Sequence, residues 1–291
     1  MDSKFQNKNE IKIIGKLTKA NLKTGKSAKT GQNYVSATAV VVSNIKGADN
    51  EFEVSFFANE MTADNKPSEL FKSYSKMPEL EGKKVEITGS LRENRFFSSN
   101  LNQIVSTQEL SGRFIKGVAD SVPDEASWLV SGFIAKSLVE KINKNNEVYR
   151  YDVTLAQVNY DGKTLSMYTL HVNPIHRNII AALEKYEVGQ TIRLYGSLNF
   201  KTEVVTVEDK NEGGFGEPIY KTFTNKQKNF YIEGGSAPIV DETKYDSMTI
   251  SDLISAYKAR DVELAEKGKT NEPVAVEKTT QTITKRQASL I

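Results

Sequence analysis

The chain of 291 residues contains no cysteine, one tryptophan and two histidines. Without cysteine it can form no disulfide and offers neither a thiolate metal ligand nor a cysteine nucleophile. No apolar run is long enough to cross a bilayer, and the opening segment, MDSKFQNKNE, lacks the apolar core of a signal peptide. These absences predict a cytoplasmic protein with no membrane partner.

Signals for catalysis are equally scarce. His171 and His176 fall at the end of a predicted strand and the start of a predicted helix, and no acidic spacing completes a metal site around them. The stretch GGFG lacks the Lys-Ser/Thr pair that follows the glycines of a phosphate-binding loop. We therefore expect no enzymatic activity, no cofactor and no metal.

The charge of the chain is nearly balanced, with a formal net charge of +2, so any nucleic-acid binding must rest on a local patch. One such patch is residues 11–48, which contain seven lysines and no acidic residue. A solvated, lysine-rich surface without a ligand is the alternative interpretation of this patch.

The clearest pattern is a repeat. Residues 82–94, GKKVEITGSLREN, alternate like a strand with a glycine at its centre, and residues 189–201, GQTIRLYGSLNFK, repeat this 107 positions later. Matching elements precede both, including alternating first strands with a glycine in the fifth position. The predicted strands are 11–17, 34–43, 51–58, 82–94 and 96–109 in the first copy and 128–134, 148–158, 163–172, 189–201 and 229–233 in the second, with helices at 67–76 and 174–186.

Three strands, a helix and two further strands is the order of the OB-fold, a small five-stranded barrel. We therefore predict a mainly β protein with two tandem OB-fold barrels, at 1–118 and 125–240, each with one short helix. The strand glycines Gly15, Gly89, Gly132 and Gly196 are interpreted as points where strands bend to close the barrel. A C-terminal helix at 245–268 and a flexible tail at 269–291 complete the prediction, and Trp128 is assigned to the core.

Three stretches carry a family resemblance: NEIKIIGKL, TGQNYVSATAVVVSN and LEGKKVEITGSLRENRF. They resemble the first, second and fourth strands of bacterial single-stranded-DNA-binding proteins, over about the first hundred residues and more loosely in the second copy. The resemblance implies a protein that coats and protects single-stranded DNA in replication, recombination or repair, largely without sequence choice. RNA stays open as a ligand.

The chain also departs from that family. Its members usually carry one barrel per chain and form tetramers, so two copies predict a monomer or a low-order oligomer. Their acidic tail with an apolar end is replaced here by TKRQASLI, which is basic. Replication or recombination proteins that contact the C-terminal helix and tail are expected partners. A phage or mobile-element origin, with the host cytoplasm as location, would suit two barrels in one chain.

Binding a single strand needs cations for the phosphates and aromatic faces for the bases, and OB-folds place both on strands two and three and the flanking loops. The candidates in the first copy are Lys16, Lys19, Lys23, Lys26, Lys29, Tyr34, Phe57, Arg92, Arg95, Phe96 and Phe97. Those in the second copy are Arg150, Tyr168, Arg193, Tyr195, Phe200 and Lys201.

Other interpretations of these residues remain open. The rings could plug barrel ends, and one or both barrels could bind protein instead of nucleic acid. The inserted segment 208–228, EDKNEGGFGEPIYKTFTNKQK, is interpreted as a hairpin that either clamps a strand or packs against the first copy.

Overall fold

The computed structural model describes residues 8–28, 30–159, 164–209, 219–238 and 250–270, and within them ten strands and three α-helices. None of these helices is long and apolar enough to cross a membrane. The strands are β1 (Asn9–Lys26), β2 (Asn33–Ile45), β3 (Ala48–Asn59), β4 (Lys84–Ser98), β5 (Gln103–Gly117), β6 (Glu125–Ile142), β7 (Val148–Val158), β8 (Leu165–Val172), β9 (Thr191–Asp209) and β10 (Ile219–Gly235). The helices are α1 (Glu69–Ser75), followed by a 3₁₀ turn at Met77–Leu80, α2 (Arg177–Leu183) and α3 (Ile250–Thr270).

The strands close into two rings. The first runs β1–β2–β3–β5–β4 and returns to β1, and the second runs β6–β7–β8–β10–β9 and returns to β6. Each ring thus has five strands and carries a short helix between its third and fourth strands. The predicted mainly β fold with a C-terminal helix is confirmed, and the two five-stranded rings, each with one helix, have the element order expected of an OB-fold. The predicted tail lies beyond the described residues, apart from its first two positions, which belong to α3.

Period-two alternation builds each core. On β2 the buried apolar positions are Val35, Ala37, Ala39 and Val41, and on β3 they begin at Phe52 and recur at every second residue as far as Ala58. Successive side chains of a strand point to opposite faces, so these residues fill the barrel and the residues between them face outward.

The duplicated glycines lie where two backbones come close. A Cβ atom on Gly89 would be 2.0 Å from the Ser111 carbonyl oxygen, and one on Gly196 would be 1.8 Å from that of Tyr231. The β4–β5 ladder shifts its register beside Gly89, a β-bulge of the kind that bends barrel strands. No larger residue fits these positions without moving the neighbouring strand.

The two barrels are joined through their first strands. β1 pairs with β6 as well as with its own ring, which places Ile11 beside Trp128. Trp128 is buried, as predicted, and donates a hydrogen bond from Nε1 to the Ser197 carbonyl oxygen. One hydrophobic cluster contains core residues of both barrels. The strands of the first ring lie within Asn9–Gly117 and those of the second within Glu125–Gly235, and the domain boundaries 1–118 and 125–240 stay a prediction.

Several element boundaries were predicted wrongly. The loop expected after residue 17 is mostly a two-stranded ribbon formed by the ends of β1 and β2. The inserted segment 208–228, interpreted as a hairpin, contributes residues 208–209 and 219–228 to the β9–β10 ribbon, and residues 210–218 lie outside the described part of the chain. The last strand of the first barrel begins at Gln103 rather than Phe96, because β4 continues to Ser98. Ribbons that project from a barrel have no buried face, so their sequences lack the alternation that identifies a strand.

Candidate nucleic-acid interface

The outward face of β2 and β3 is the side on which an OB-fold carries its ligand. The ladder between the two strands runs without a register shift, so cross-strand partners share a face. On the outward side, Tyr34 and Ser36 of β2 lie beside Asn59 and Phe57 of β3. This side bears two of the predicted aromatic residues.

Tyr34 and Phe57 form a stacked pair, which we call the aromatic platform together with Gly25. Their ring centroids are 5.6 Å apart with 28° between the planes, and 59% of Phe57 is exposed. Gly25 is the cross-strand partner of Tyr34 on β1, and a Cβ atom there would be 2.6 Å from Tyr34 Oη. The tyrosine ring therefore lies flat over the glycine, and the platform keeps an exposed aromatic surface.

Two of the predicted lysines share this face. Lys23 pairs with Ser36, which in turn pairs with Phe57, and Lys19 pairs with Val40 farther along β2. Within the part of the chain that the structure describes, neither lysine has an acidic partner. Their charges are therefore available to a ligand on the platform.

The other lysines of the patch are placed differently. Lys16 is exposed lower on β1, beside Val42. Lys26 pairs with Asn33. It is three residues after Lys23 on the same strand, so its side chain lies on the opposite side of the ribbon. Lys29 lies outside the described residues.

The β4–β5 ribbon does not offer its arginines as free cations. The Arg92 guanidinium lies 2.6 Å from Glu109 Oε2. Burial alone would raise the pKa of Glu109, but hydrogen bonds from Arg92 and Asn94 and the charges of Arg92 and Lys228 hold that pKa below its usual value. Arg92 is thus already neutralised by a carboxylate.

Arg95 serves the C-terminal helix instead. Its guanidinium lies 3.8 Å from the centre of the Tyr257 ring and pairs with Asp261, both on α3. The expectation that Arg95 is free for phosphate is therefore corrected. The neighbouring rings are separated by alternation: Phe96 is exposed and Phe97 is half-buried.

The second barrel presents a different surface at the equivalent place. The strand glycines Gly15 and Gly132 align the two barrels. In the first barrel the residue after the glycine, Lys16, pairs with Val42. In the second barrel the residue after the glycine, Phe133, pairs with Ala156, so Val42 and Ala156 occupy equivalent positions. The outward face of β7 and β8 near Ala156 is apolar and lies under α3. The contact contains Phe133, Ala156, Val158, Leu165 and Met167 from the barrel and Ile250, Leu253, Ile254 and Tyr257 from the helix.

Farther along that face, Arg150, Asp152 and His171 form a hydrogen-bonded cluster. Asp152 Oδ1 lies 2.7 Å from Arg150 Nε and 2.9 Å from His171 Nδ1. Burial alone would raise the pKa of Asp152, but the hydrogen bond with His171 and the charge of Arg150 keep that pKa below its usual value. Arg150 is therefore paired, which corrects the expectation that it is a free cation.

Two predicted stacking rings of the second copy are buried. Tyr168 donates a hydrogen bond from its hydroxyl to the Leu91 carbonyl oxygen. The ring centroid of Phe200 lies 5.2 Å from that of Phe52 and 5.3 Å from that of Phe230. Neither can stack with a base, so the expectation of exposed rings at these positions is corrected. Both instead hold the two barrels together.

The remaining candidates lie away from the platform. Lys201 is exposed on the β9–β10 ribbon. Arg193 and Tyr195 lie on the outward face of β9, at the junction of the barrels. The described residues contain no group of three or more histidine or acidic side chains placed to hold a metal ion.

Two residues at the candidate surfaces were not singled out from the sequence. In the sequence, Gly25 lies in a segment that was predicted to be a loop. The register of β1 and β2 shows that it is the cross-strand partner of Tyr34. Phe114 sits in a strand whose boundaries were predicted too early, and it is 54% exposed. With the correct start for β5, alternation would have shown that Phe114 points to the outer face, because its neighbour Ile115 points into the core.

Comparison with known proteins gives one family and a group of solved structures. The YorF family model matches residues 7–270. No curated protein matches the chain. Crystal structures of the single-stranded DNA binding protein from Thermus aquaticus, wild type and a deletion mutant, are 12% identical to it with a TM-score of 0.47. The alignments cover 81% of this chain and 95% of the wild-type chain or 96% of the mutant chain.

Proposed function

The chain belongs to the YorF family, and we propose that it binds single-stranded nucleic acid on the outward face of its first barrel. The observation that carries this proposal is the aromatic platform, in which the half-buried ring of Tyr34 stacks with the exposed ring of Phe57. Lys19 and Lys23 lie on the same face without acidic partners among the described residues. Rings and cations on one strand-built face are the combination that single strands require.

Each part of this face has a separate task. An unpaired base stacks on Phe57, which is worth about 1–3 kcal/mol per base, and the lysines neutralise phosphates and release counterions. Stacking requires a base that is not already paired, so single strands are favoured over duplexes. It reads no base edge, so binding is largely independent of sequence. Coating and protecting single-stranded DNA during replication, recombination or repair in the cytoplasm is the role that follows.

The second barrel supports a different candidate function. Its equivalent face holds α3, with Leu253 completely buried against the barrel. An amphipathic helix on an apolar groove is a common mode of peptide recognition. This favours protein interaction, here within the chain, for the second barrel.

The direct test is a fluorescence-anisotropy titration of the full chain with oligo-dT, a duplex of equal length and an RNA strand, at two salt concentrations. We expect tight, salt-sensitive binding of oligo-dT and weak binding of the duplex. Equal affinity for duplex and single strand would refute the proposal. The RNA arm decides which single strand is preferred.

A matched pair of variants tests the face itself. Lys23→Glu and Lys26→Glu make the same charge change on opposite sides of one ribbon. We expect Lys23→Glu to weaken binding and to reduce the slope of log affinity against log salt by about 0.7, the value for one phosphate of a single strand. Lys26→Glu should have a much smaller effect. Equal effects of the two variants would show that the strand does not follow the platform side.

A further inference from the structure

A groove of about 730 Å³ lies at the junction of the barrels, away from the aromatic platform. It follows the β1–β6 ladder on the outward side of the sheet, and residues of both barrels line it. Thr88, Ser90 and Ser127 place hydroxyl groups on its floor. Because both barrels contribute to it, this groove exists only in the assembled chain.

Two exposed rings lie on opposite walls of the groove. Phe114 on β5 is 54% exposed, and Tyr195 on β9 is 48% exposed. Gly234 is the cross-strand partner of Tyr195, and a Cβ atom there would be 2.3 Å from Tyr195 Oη. A tyrosine laid over a glycine, with an exposed phenylalanine in the same site, is also the construction of the aromatic platform.

Each ring has an arginine beside it. The Arg113 guanidinium lies 5.3 Å from the centre of the Phe114 ring. Arg193 is two residues from Tyr195 on β9, so it shares the same face, and its Nε donates to Ser131 Oγ at 3.3 Å. Neither arginine forms an ion pair within the described part of the chain.

The acidic groups of the groove are partly neutralised. Lys12 Nζ lies 2.6 Å from Glu125 Oε2, and Lys8 Nζ lies 3.9 Å from a carboxylate oxygen of Glu10. Glu233 also lines the groove. Apart from these pairs, the charges near the two rings are those of Arg113, Arg193 and Glu233, which leaves one net positive charge for an anionic ligand.

The distance between the rings indicates the kind of ligand. β5, β4, β1, β6 and β9 are consecutive neighbours in the sheet, so Phe114 and Tyr195 are four strand spacings apart. At about 4.8 Å per spacing this is about 19 Å along the sheet. A single small molecule cannot contact both rings across that distance, whereas a polymer with flat groups at intervals can.

We propose that the groove is a second contact for single-stranded nucleic acid. It holds the continuation of a strand already bound at the aromatic platform, with bases on Phe114 and Tyr195 and phosphates at Arg113 and Arg193. This inference rests on the proposed function of the first barrel. It adds that the complete binding surface includes the junction of both barrels, although the outward face of the second barrel is covered by α3.

The test compares a short and a long strand. An oligo-dT of about 6 nucleotides fills little more than the platform, and one of about 35 nucleotides exceeds the range of about 4–16 nucleotides for one OB-fold. In the double variant Phe114→Ala with Tyr195→Ala, we expect the affinity for the long strand to fall at least tenfold and that for the short strand to stay unchanged. Tyr149→Ala, which removes a ring 53% exposed on the β6–β7 ribbon, is the control and should change neither.

Each other outcome has a definite meaning. Unchanged long-strand affinity in the double variant, or an equal loss for both strands, overturns the inference. Failure of the wild type to bind either strand overturns the proposed function itself. Sedimentation without nucleic acid covers the remaining case: a wild-type dimer that the double variant converts to a monomer would assign the groove to contact between copies and overturn the inference. If the double variant fails to fold, Phe114→Leu with Tyr195→Leu keeps the apolar contacts, removes the rings and should give the same result.

Discussion

In the first barrel the outward face of the second and third strands is open, with the exposed Phe57 and the half-buried Tyr34 beside two lysines. In the second barrel the same face is closed by α3 at one end and by the Arg150–Asp152–His171 cluster farther along. The two barrels have the same order of strands. Their different surfaces therefore come from side chains and not from topology.

A few exchanges at equivalent positions account for the difference. Relative to Gly15 and Gly132, Lys16 corresponds to Phe133, Val42 to Ala156 and Glu51 to Met167. Apolar residues at these positions leave a patch that is unfavourable in water, and a helix that carries Leu253 covers it. In the first barrel, the charged residues Lys16 and Glu51 flank Val42, so no continuous apolar patch is present for a helix to cover. A duplicated barrel can thus keep one face for ligand and use the other for its own chain.

The largest expected effect comes from breaking the helix contact. Leu253→Ala removes a side chain with no exposed surface and should lower the free energy of unfolding by about 2–5 kcal/mol. Val262→Ala changes a residue of the same helix that is 60% exposed and should cost much less. Urea denaturation measures both. Comparable losses for the two variants would contradict the docking of α3 through Leu253.

The second effect tests which barrel binds. Tyr34→Ala or Phe57→Ala should weaken binding of oligo-dT by about 1–3 kcal/mol, because each removes one ring from the stack. Val148, which corresponds to Tyr34 in the second barrel, serves as the matched position, and Val148→Ala should leave the affinity unchanged. Anisotropy titrations at one salt concentration compare the three variants. A loss from Val148→Ala equal to that from Tyr34→Ala would mean that the two barrel faces do not differ in binding.

The third effect concerns the charge cluster of the second barrel. Asp152→Asn should lower stability near neutral pH by about 1–3 kcal/mol, since the variant loses hydrogen bonds and ion pairs to a charged group. The pKa of Asp152 is lower in the folded chain than in the unfolded chain. Its contribution is therefore fully present above the unfolded pKa of about 3.9 and is lost as the pH falls through the folded value.

Unfolding free energies of wild type and Asp152→Asn, measured from pH 7 down to pH 2, check this dependence. The difference between them should shrink in the acidic range. A difference that stays constant across the whole range would rule out a stabilising Asp152 carboxylate. Binding of oligo-dT at pH 7 should be the same for both, because the cluster lies on the covered barrel.

The smallest effect sharpens the description of the platform. Gly25→Ala places a methyl group against the Tyr34 ring and should weaken oligo-dT binding a few-fold by moving that ring. In a Tyr34→Ala background the same substitution should have no further effect, since the ring is absent. Additive losses in this double-variant cycle would show that Gly25 acts by another route.

The repeat made much of the fold predictable. The spacing of Gly82 and Gly189, together with alternating core residues such as those of β2, indicated two five-stranded barrels, because a buried strand face imposes a period of two. The β1–β2 ribbon was missed, because residues such as Lys19 and Lys23 lie in strand ends with no buried face to reveal them.

The candidate site was predictable in part. The outward position of Phe57 was predictable from strand alternation, and the basic patch that includes Lys19 and Lys23 from charge, because both depend on local sequence. Arg95 and Phe200 were misplaced because their partners, Asp261 and Phe52, are distant in sequence. Local composition cannot show that a cation or a ring already has a long-range partner.

By itself, the sequence determined the duplicated barrel, the residues that fill it and the basic, aromatic character of the outward face of the first barrel. Those properties follow from alternation and spacing within single strands, where the backbone fixes which side chains point together. Only the tertiary structure decided that α3 covers the second barrel, that Tyr34 rests on Gly25 and that Phe114 and Tyr195 face one groove. Each of those contacts joins strands or helices far apart in the chain, and their meeting depends on strand register and on the packing of one barrel against the other.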